Sequence, residues 1–201
     1  MSENRFRHLI GPALFEAAFV VLGVVLALAA NEWRQNRADI AQANTALTEI
    51  VRELEANRQA VADSLEYHRG LVSRIMQVAD DPAQLSIRDF SRGFIFPAQV
   101  HHTAWSSAAE IGALSNMSYD SVLVLSRVYA QQESYQEQAK SVGQIIYTEL
   151  YRGGTAAIIA NSDNLITILQ TFAYREQQLL KTYNTLLSET FTEQHRQLAA
   201  D

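Results

Sequence analysis

His101-His102 is the only clustered pair of metal-capable side chains in the sequence, and the chemistry such a pair suggests is divalent-cation binding. Adjacent residues on a helix point about 100° apart, whereas a zinc-type centre needs three or four converging ligands. The nearest carboxylate along the chain is Glu110, and neither H-x-x-x-H nor H-E-x-x-H occurs. The pair therefore reads as a surface feature, and no metal site is assigned. His68 falls on the apolar side of a helix and reads as a hydrogen-bonded core histidine. The absence of Cys excludes disulfides, thiolate metal centres and cysteine nucleophiles. No G-x-S-x-G, P-loop or dinucleotide fingerprint is present, and Arg152-Gly153-Gly154-Thr155 lacks the lysine of a phosphate loop. Carboxylates are numerous, but none is expected to sit isolated in an apolar surround where it would serve as a catalytic acid. Tyr67, Tyr129, Tyr135, Tyr147, Tyr151, Tyr174 and Tyr183 either line a ligand cleft with the glutamines near residue 132 or form a wet core layer; the second is the simpler expectation. The chain is expected to be non-enzymatic, with no catalytic residue and no cofactor.

The elements that would position these residues are helical. The chain has 201 residues, a formal charge of −6, eight Gly and three Pro. Ala, Leu, Gln and Glu are abundant, a composition that favours helix. An acidic body is a poor nucleic-acid ligand, so none is expected as a partner.

The stretch Ala17 to Ala30 is uncharged, and the apolar run back to Leu9 is interrupted only by Gly11, Pro12 and Glu16. A bilayer core takes roughly 20 apolar residues. One reading is a cleaved signal peptide: Arg5, Arg7 and His8 make a basic start, and Ala27-Leu28-Ala29 an A-x-A site. The favoured reading is a retained anchor, because helical sequence continues past Ala29 and Trp33, Arg34 and Arg37 have the character of an interfacial anchor. This divides the chain into a cytoplasmic tail (1–8), a transmembrane helix (9–30) and a helical domain (31–201). The expected orientation is N-terminus inside and body outside, periplasmic in a Gram-negative inner membrane. Glu16, Gly23, Ala27 and Ala30 share one face of the membrane helix and are the candidate contact with membrane lipid or a neighbouring helix.

Past the membrane, Trp33, Ile40, Leu47, Leu54 and Val61 keep a seven-residue beat on a stalk helix of about 31–78, ended by Asp80-Asp81-Pro82. Residues 82–117 are irregular. Ser86-Ile87-Arg88-Asp89 has the form of a capping box, Thr103 is the expected N-cap of a short helix at 104–111, and Gly112 ends it. The segment is expected to cap one end of the molecule, with Phe94, Phe96 and Trp105 as a candidate partner surface wherever they remain exposed. Ser118 is a good N-cap for a helix at 119–151, Gly153-Gly154 breaks the chain, and a last helix covers 163–198 with Leu165, Ile168, Leu169, Phe172, Leu179, Tyr183, Leu186 and Phe191 as its stripe. The fold expected is all-α: one transmembrane helix continuous with a stalk helix, and an antiparallel three- to four-helix bundle.

Glu16, the run to Ala30 and Asn31-Glu32-Trp33-Arg34 resemble the opening of a family of bacterial single-pass membrane proteins of unknown function, whose apolar helix begins at a carboxylate and ends in N-x-W. Thr103, Trp105, Gly112, Leu114 and Leu125-Ser126-Arg127-Val128-Tyr129 match a second signature of that family. The resemblance implies a retained anchor and a helical body, and it supplies no activity. The expected role is an accessory subunit or scaffold of an inner-membrane complex, partnered by other membrane proteins or by itself. The alternative is a periplasmic ligand-sensing bundle without its own output domain, which would hold a buried polar pocket among its Gln and Tyr residues.

Overall fold

The structure, a computed structural model, describes residues 3–81 and 84–198, with side chains over 15–81 and 84–188. The element order is α1 (Glu3–Gln77), α2 (Thr103–Glu110), α3 (Tyr119–Ala160) and α4 (Ser162–Leu198), with 3-10 turns at Ile87–Phe90 and Ala113–Asn116. The described residues contain no strand. Residues up to Thr45 form one compact unit and residues from Ala46 onward a second.

In the first unit, every described side chain from Phe15 to Ala30 is exposed. Near its N-terminal end the described part of α1 holds an 18-residue window apolar enough for the helix to cross a membrane by length and composition. The expected seven-residue stripe is not buried throughout, since Trp33 is 60% and Ile40 49% exposed. The tail expected at 1–8 lies outside the described side chains.

In the second unit, Ile50, Leu54 and Val61 of α1 enclose one core with Leu125, Val128 and Tyr135 of α3 and Phe172, Leu179 and Tyr183 of α4. A second cluster gathers Leu71, Ile75, Leu85, Phe90, Phe94, Leu165 and Leu169. Contacts of Arg58 with Asn184 and of Arg69 with Gln177 show α4 running opposite to α1, and those of Gln131 with Thr182 and Ser134 with Arg175 show it running opposite to α3.

The local signals behave as chemistry dictates. The Ser86 N–H donates to Asp89 Oδ2 at 2.9 Å, completing the capping box. Ser118 Oγ accepts the Ser121 N–H at 3.1 Å at the start of α3. Gly112 sits at φ 76°, the left-handed region in which a Cβ is strained. Gly154 adopts φ 65°, ψ −168°, a break inside α3, after which helix resumes to Ala160 rather than ending at 151.

Two expectations are corrected here. Thr103 is the first residue of α2 rather than its N-cap, and the cap position falls to His102. The helix start is satisfied from outside: Glu53 Oε2 of α1 accepts the Ala104 N–H at 2.9 Å. Nor does the connector cap one end. Between Asp89 and Ala104 it runs lengthwise against α1, in the opposite sense, meeting Arg74, Tyr67, His68, Ser64, Asn57 and Glu53 in turn. The reason is its backbone: an extended segment with buried N–H and C=O groups and no neighbouring strand must find side-chain partners along its whole path.

Candidate functional site

Among the described residues of the second unit, the polar side chains of Asn57, Ser64, His68, Gln132 and Glu176 are buried. Three of them converge with Tyr135. His68 Nδ1 lies 3.0 Å from Glu176 Oε2. Ser64 Oγ and the Tyr135 hydroxyl lie 2.6 and 2.8 Å from Glu176 Oε1. The carboxylate is enclosed but not isolated in an apolar surround, because Ser64, His68 and Tyr135 all face it. Its surroundings are hydrogen-bonding groups set into the apolar core, and this explains how a Glu is accommodated there.

A Ser, a His and a Glu in mutual contact invite comparison with a catalytic triad, in which the serine hydroxyl faces one ring nitrogen and the acid the other. The arrangement here differs. His68 Nε2 accepts the Phe96 main-chain N–H at 2.9 Å, so the ring carries its proton on Nδ1, toward Glu176. Ser64 faces the acid and the Phe96 carbonyl, at 2.6 Å each, and its one proton serves one of them at a time. His68, Ser64 and Glu176 are all 0% exposed. The cluster holds backbone. Ala98 donates its N–H to the Tyr135 hydroxyl at 2.7 Å, Gln136 Nε2 donates to the Val100 carbonyl at 2.6 Å, and Asn57 pairs with both the N–H and the carbonyl of His101, at 2.8 and 2.7 Å. The Tyr67 hydroxyl donates to the Gly93 carbonyl and accepts the Arg92 N–H. Leaving one such buried group unpaired costs about 1–3 kcal/mol, so polar side chains of α1 and α3 together permit an extended segment inside a helical protein.

The phenols respond to this enclosure. Burial, followed by the charge of Glu176, raises the Tyr135 pKa far above the ordinary phenol range, and burial followed by the hydrogen bond to Glu53 does the same for Tyr129. Tyr183 is raised by burial and then by Glu53, and Tyr67 is raised by burial. Asp89 is lowered, first by the Ser86 N–H and then by Arg74.

The residues singled out from the sequence differ in their surroundings. Glu16, Gly23, Ala27 and Ala30 are exposed on α1, and a Cβ built at Gly23 meets nothing within 4 Å. Trp33 is exposed with the Arg37 guanidinium 4.6 Å from its ring centroid, and Arg34 reaches Asn31. Of the aromatic partner surface, Phe94 is buried in the second core cluster and is withdrawn from that role; Phe96 is half-buried under Arg92, and Trp105 half-buried, stacked on Tyr129 at 5.2 Å. His101 and His102 are exposed, and among the described residues no group of three or more His, Cys, Asp or Glu converges as a metal site. His68 is the hydrogen-bonded core histidine its position suggests. Of the tyrosines proposed as a cleft or core layer, Tyr129, Tyr135 and Tyr183 are buried, while Tyr147, Tyr151 and Tyr174 are exposed.

Sequence reasoning missed Glu176, Asn57 and Ser64, whereas Gln132 is one of the glutamines it placed beside the tyrosines. The signal was their register: Glu176 lies four residues after Phe172 and three before Leu179, on the apolar stripe of α4. Comparisons with protein-family models, curated proteins and solved structures found no match for the chain.

Proposed function

We propose that this chain is a non-enzymatic, membrane-anchored helical protein that works by binding another membrane protein or a second copy of itself, as an accessory subunit or scaffold of an inner-membrane complex. The observation that supports it is the stretch from Phe15 to Ala30, apolar except for Glu16 and exposed at every described side chain. Contiguous apolar surface of that extent is not left in water, and counted back to Leu9 the run reaches the roughly 20 residues a bilayer core takes. On this reading the N-terminus is cytoplasmic, the body is an antiparallel helical bundle on the outer side, and Glu16, Gly23, Ala27 and Ala30 form the face toward a neighbouring helix. Trp33, Arg34 and Arg37 sit at the headgroups. The likeness to the single-pass family with the N-x-W ending agrees with it.

The reading is tested by copurification at native expression in mild detergent, with mass spectrometry of the purified chain. A stable companion and a chain retaining residues 9–30 are expected. Recovery of a lone monomer in several detergents would overturn the partner, and a mature chain starting near residue 30 would overturn the anchor. An alkaline phosphatase fusion at the C-terminus, active only outside the cytoplasm, tests the orientation.

A further inference from the structure

The connector uses only part of its main chain to hold itself in place. Phe96 turns its N–H to His68 and its carbonyl to Ser64, and Ala98 turns its N–H to the Tyr135 hydroxyl. Successive residues of an extended chain present these groups to opposite sides. Among the described residues, the N–H groups of Ile95 and Gln99 and the carbonyls of Pro97 and Gln99 make no hydrogen bond. Gln99 is exposed, and Ile95 and Pro97 are half-buried. Beside this edge lies an open groove of about 970 Å³, with α3 as its other wall. Gln136 meets Val100 at one end, and Ile146 and Leu150 pack with Phe94 and Ile95 at the other, so α3 passes the connector in the opposite sense. A helix from 136 to 150 spans about 21 Å, the length of about six extended residues.

We propose that this groove docks an extended, acidic peptide segment of a partner protein, added as a strand along the free edge from Ile95 to Gln99. An edge left unpaired is a template for another chain, and strand addition takes its affinity from main-chain pairing and its specificity from alternate side chains. Pro97, Ala139 and Ile146 give the groove apolar walls, and Tyr147, 74% exposed, lines it as well. Lys140 sets the sign of the partner's charge. It is exposed, it enters no ion pair among the described residues, and no Asp or Glu lines the groove, although the whole chain carries −6. Arg92 lines the groove too, but it also borders a neighbouring hollow with Asp63, Glu66 and Asp89 and so adds less. Gly143 stands on the α3 wall, and a Cβ there meets nothing within 4 Å. A glycine inside a helix costs about 1 kcal/mol relative to Ala, and at this point it leaves room for a chain to pass. An acyl chain would fill the apolar walls without using the free amide and carbonyl groups, which favours a peptide. The docking does not rest on the membrane-helix contact proposed above, and its test reads direct binding, so either reading can fail alone.

The test uses the full chain in phosphatidylcholine nanodiscs, which keeps free detergent out of the groove. The probes are three fluorescein-labelled, capped hexapeptides read by anisotropy: an alternating Val-Glu peptide, its Val-Lys counterpart, and the Val-Glu peptide methylated at every main-chain nitrogen. The Val-Glu peptide is expected to bind saturably, the methylated form about tenfold or more weaker because its donors are gone, and the Val-Lys form severalfold weaker. Gly143→Phe sets a ring in the open space and should remove binding with the thermal midpoint unchanged or raised. Lys140→Glu, an exposed exchange, should reverse the preference between the Val-Glu and Val-Lys peptides, and it decides the matter even where G143F fails to fold. The proposal falls if the Val-Glu peptide does not bind, if methylation leaves its binding intact, if a folded G143F binds undiminished, or if K140E leaves the charge preference as it was. Displacement of the peptide by octanoate as effectively as by unlabelled peptide would assign the groove to an acyl chain, and a dimer of the full chain that G143F converts to monomer would assign it to a second copy; either would overturn the proposal.

Discussion

The main-chain N–H of Phe96 donates to Nε2 of His68 at 2.9 Å, and through that one bond a helix side chain fixes both the course of the connector and the nitrogen on which the imidazole carries its proton. The proton on Nδ1 faces Glu176, so loop, α1 and α4 are joined through a single ring.

Replacing His68 by Leu leaves the Phe96 N–H and one oxygen of Glu176 without partners in a dry interior. The expected loss is about 3 kcal/mol. Glu176→Leu should cost a similar amount, and the double variant less than the sum, because removing both members of a buried pair spares the unpaired partner. Guanidinium denaturation of the full chain in detergent, followed by circular dichroism, measures all three; strictly additive losses would deny the coupling.

Asn57 makes two bonds to His101, one as donor and one as acceptor, in a position with no exposure. Asn57→Leu removes both and should destabilise by about 2–3 kcal/mol. Asn57→Asp keeps the acceptor but turns a carboxylate oxygen toward the His101 carbonyl, so it should not restore stability. Denaturation midpoints of the two variants decide the point.

Alkaline behaviour follows from the buried phenols. The folded-state pKa values of Tyr129, Tyr135 and Tyr183 are raised by burial, so folding favours their protonated form. The stability they contribute is present below the ordinary phenol pKa near 10 and is lost as pH rises above it toward the folded-state values. Tyrosinate absorbance from these three should emerge only together with loss of the helical circular dichroism signal. Ionisation of all phenols before unfolding would contradict the burial.

Gly154 holds a backbone conformation open almost only to glycine. Gly154→Ala should cost about 1–3 kcal/mol. Gly70 lies inside α1 with nothing within 4 Å of an added Cβ, and Gly70→Ala should raise stability by about 0.5–1 kcal/mol. Thermal melts of the pair are expected to move in opposite directions.

The helices are legible in the sequence because their causes are local. Ser118 lies three residues from the N–H it receives, Asp89 three residues from Ser86, and the glycines at 112 and 154 act where they stand. The path of the connector is not legible, because its partners are remote: Asn57 and His101 are separated by 44 positions, and Glu53 replaces Thr103 as the cap of α2 from 51 positions away. Position 176 lies on the apolar stripe of α4, so its burial can be read from register, but the polar partners that allow a Glu there come from α1 and α3. Gln132 lies likewise on the stripe of α3, and among the described residues neither polar atom of its amide has a hydrogen-bond partner.

Because the connector is gripped by its amide and carbonyl groups, its spacing matters more than its lettering. Exposed members such as Gln99 can be exchanged freely, whereas deleting or inserting a single residue between Gly93 and His101 would shift every peptide unit past its clasp, so related chains should differ here in identity and agree in length.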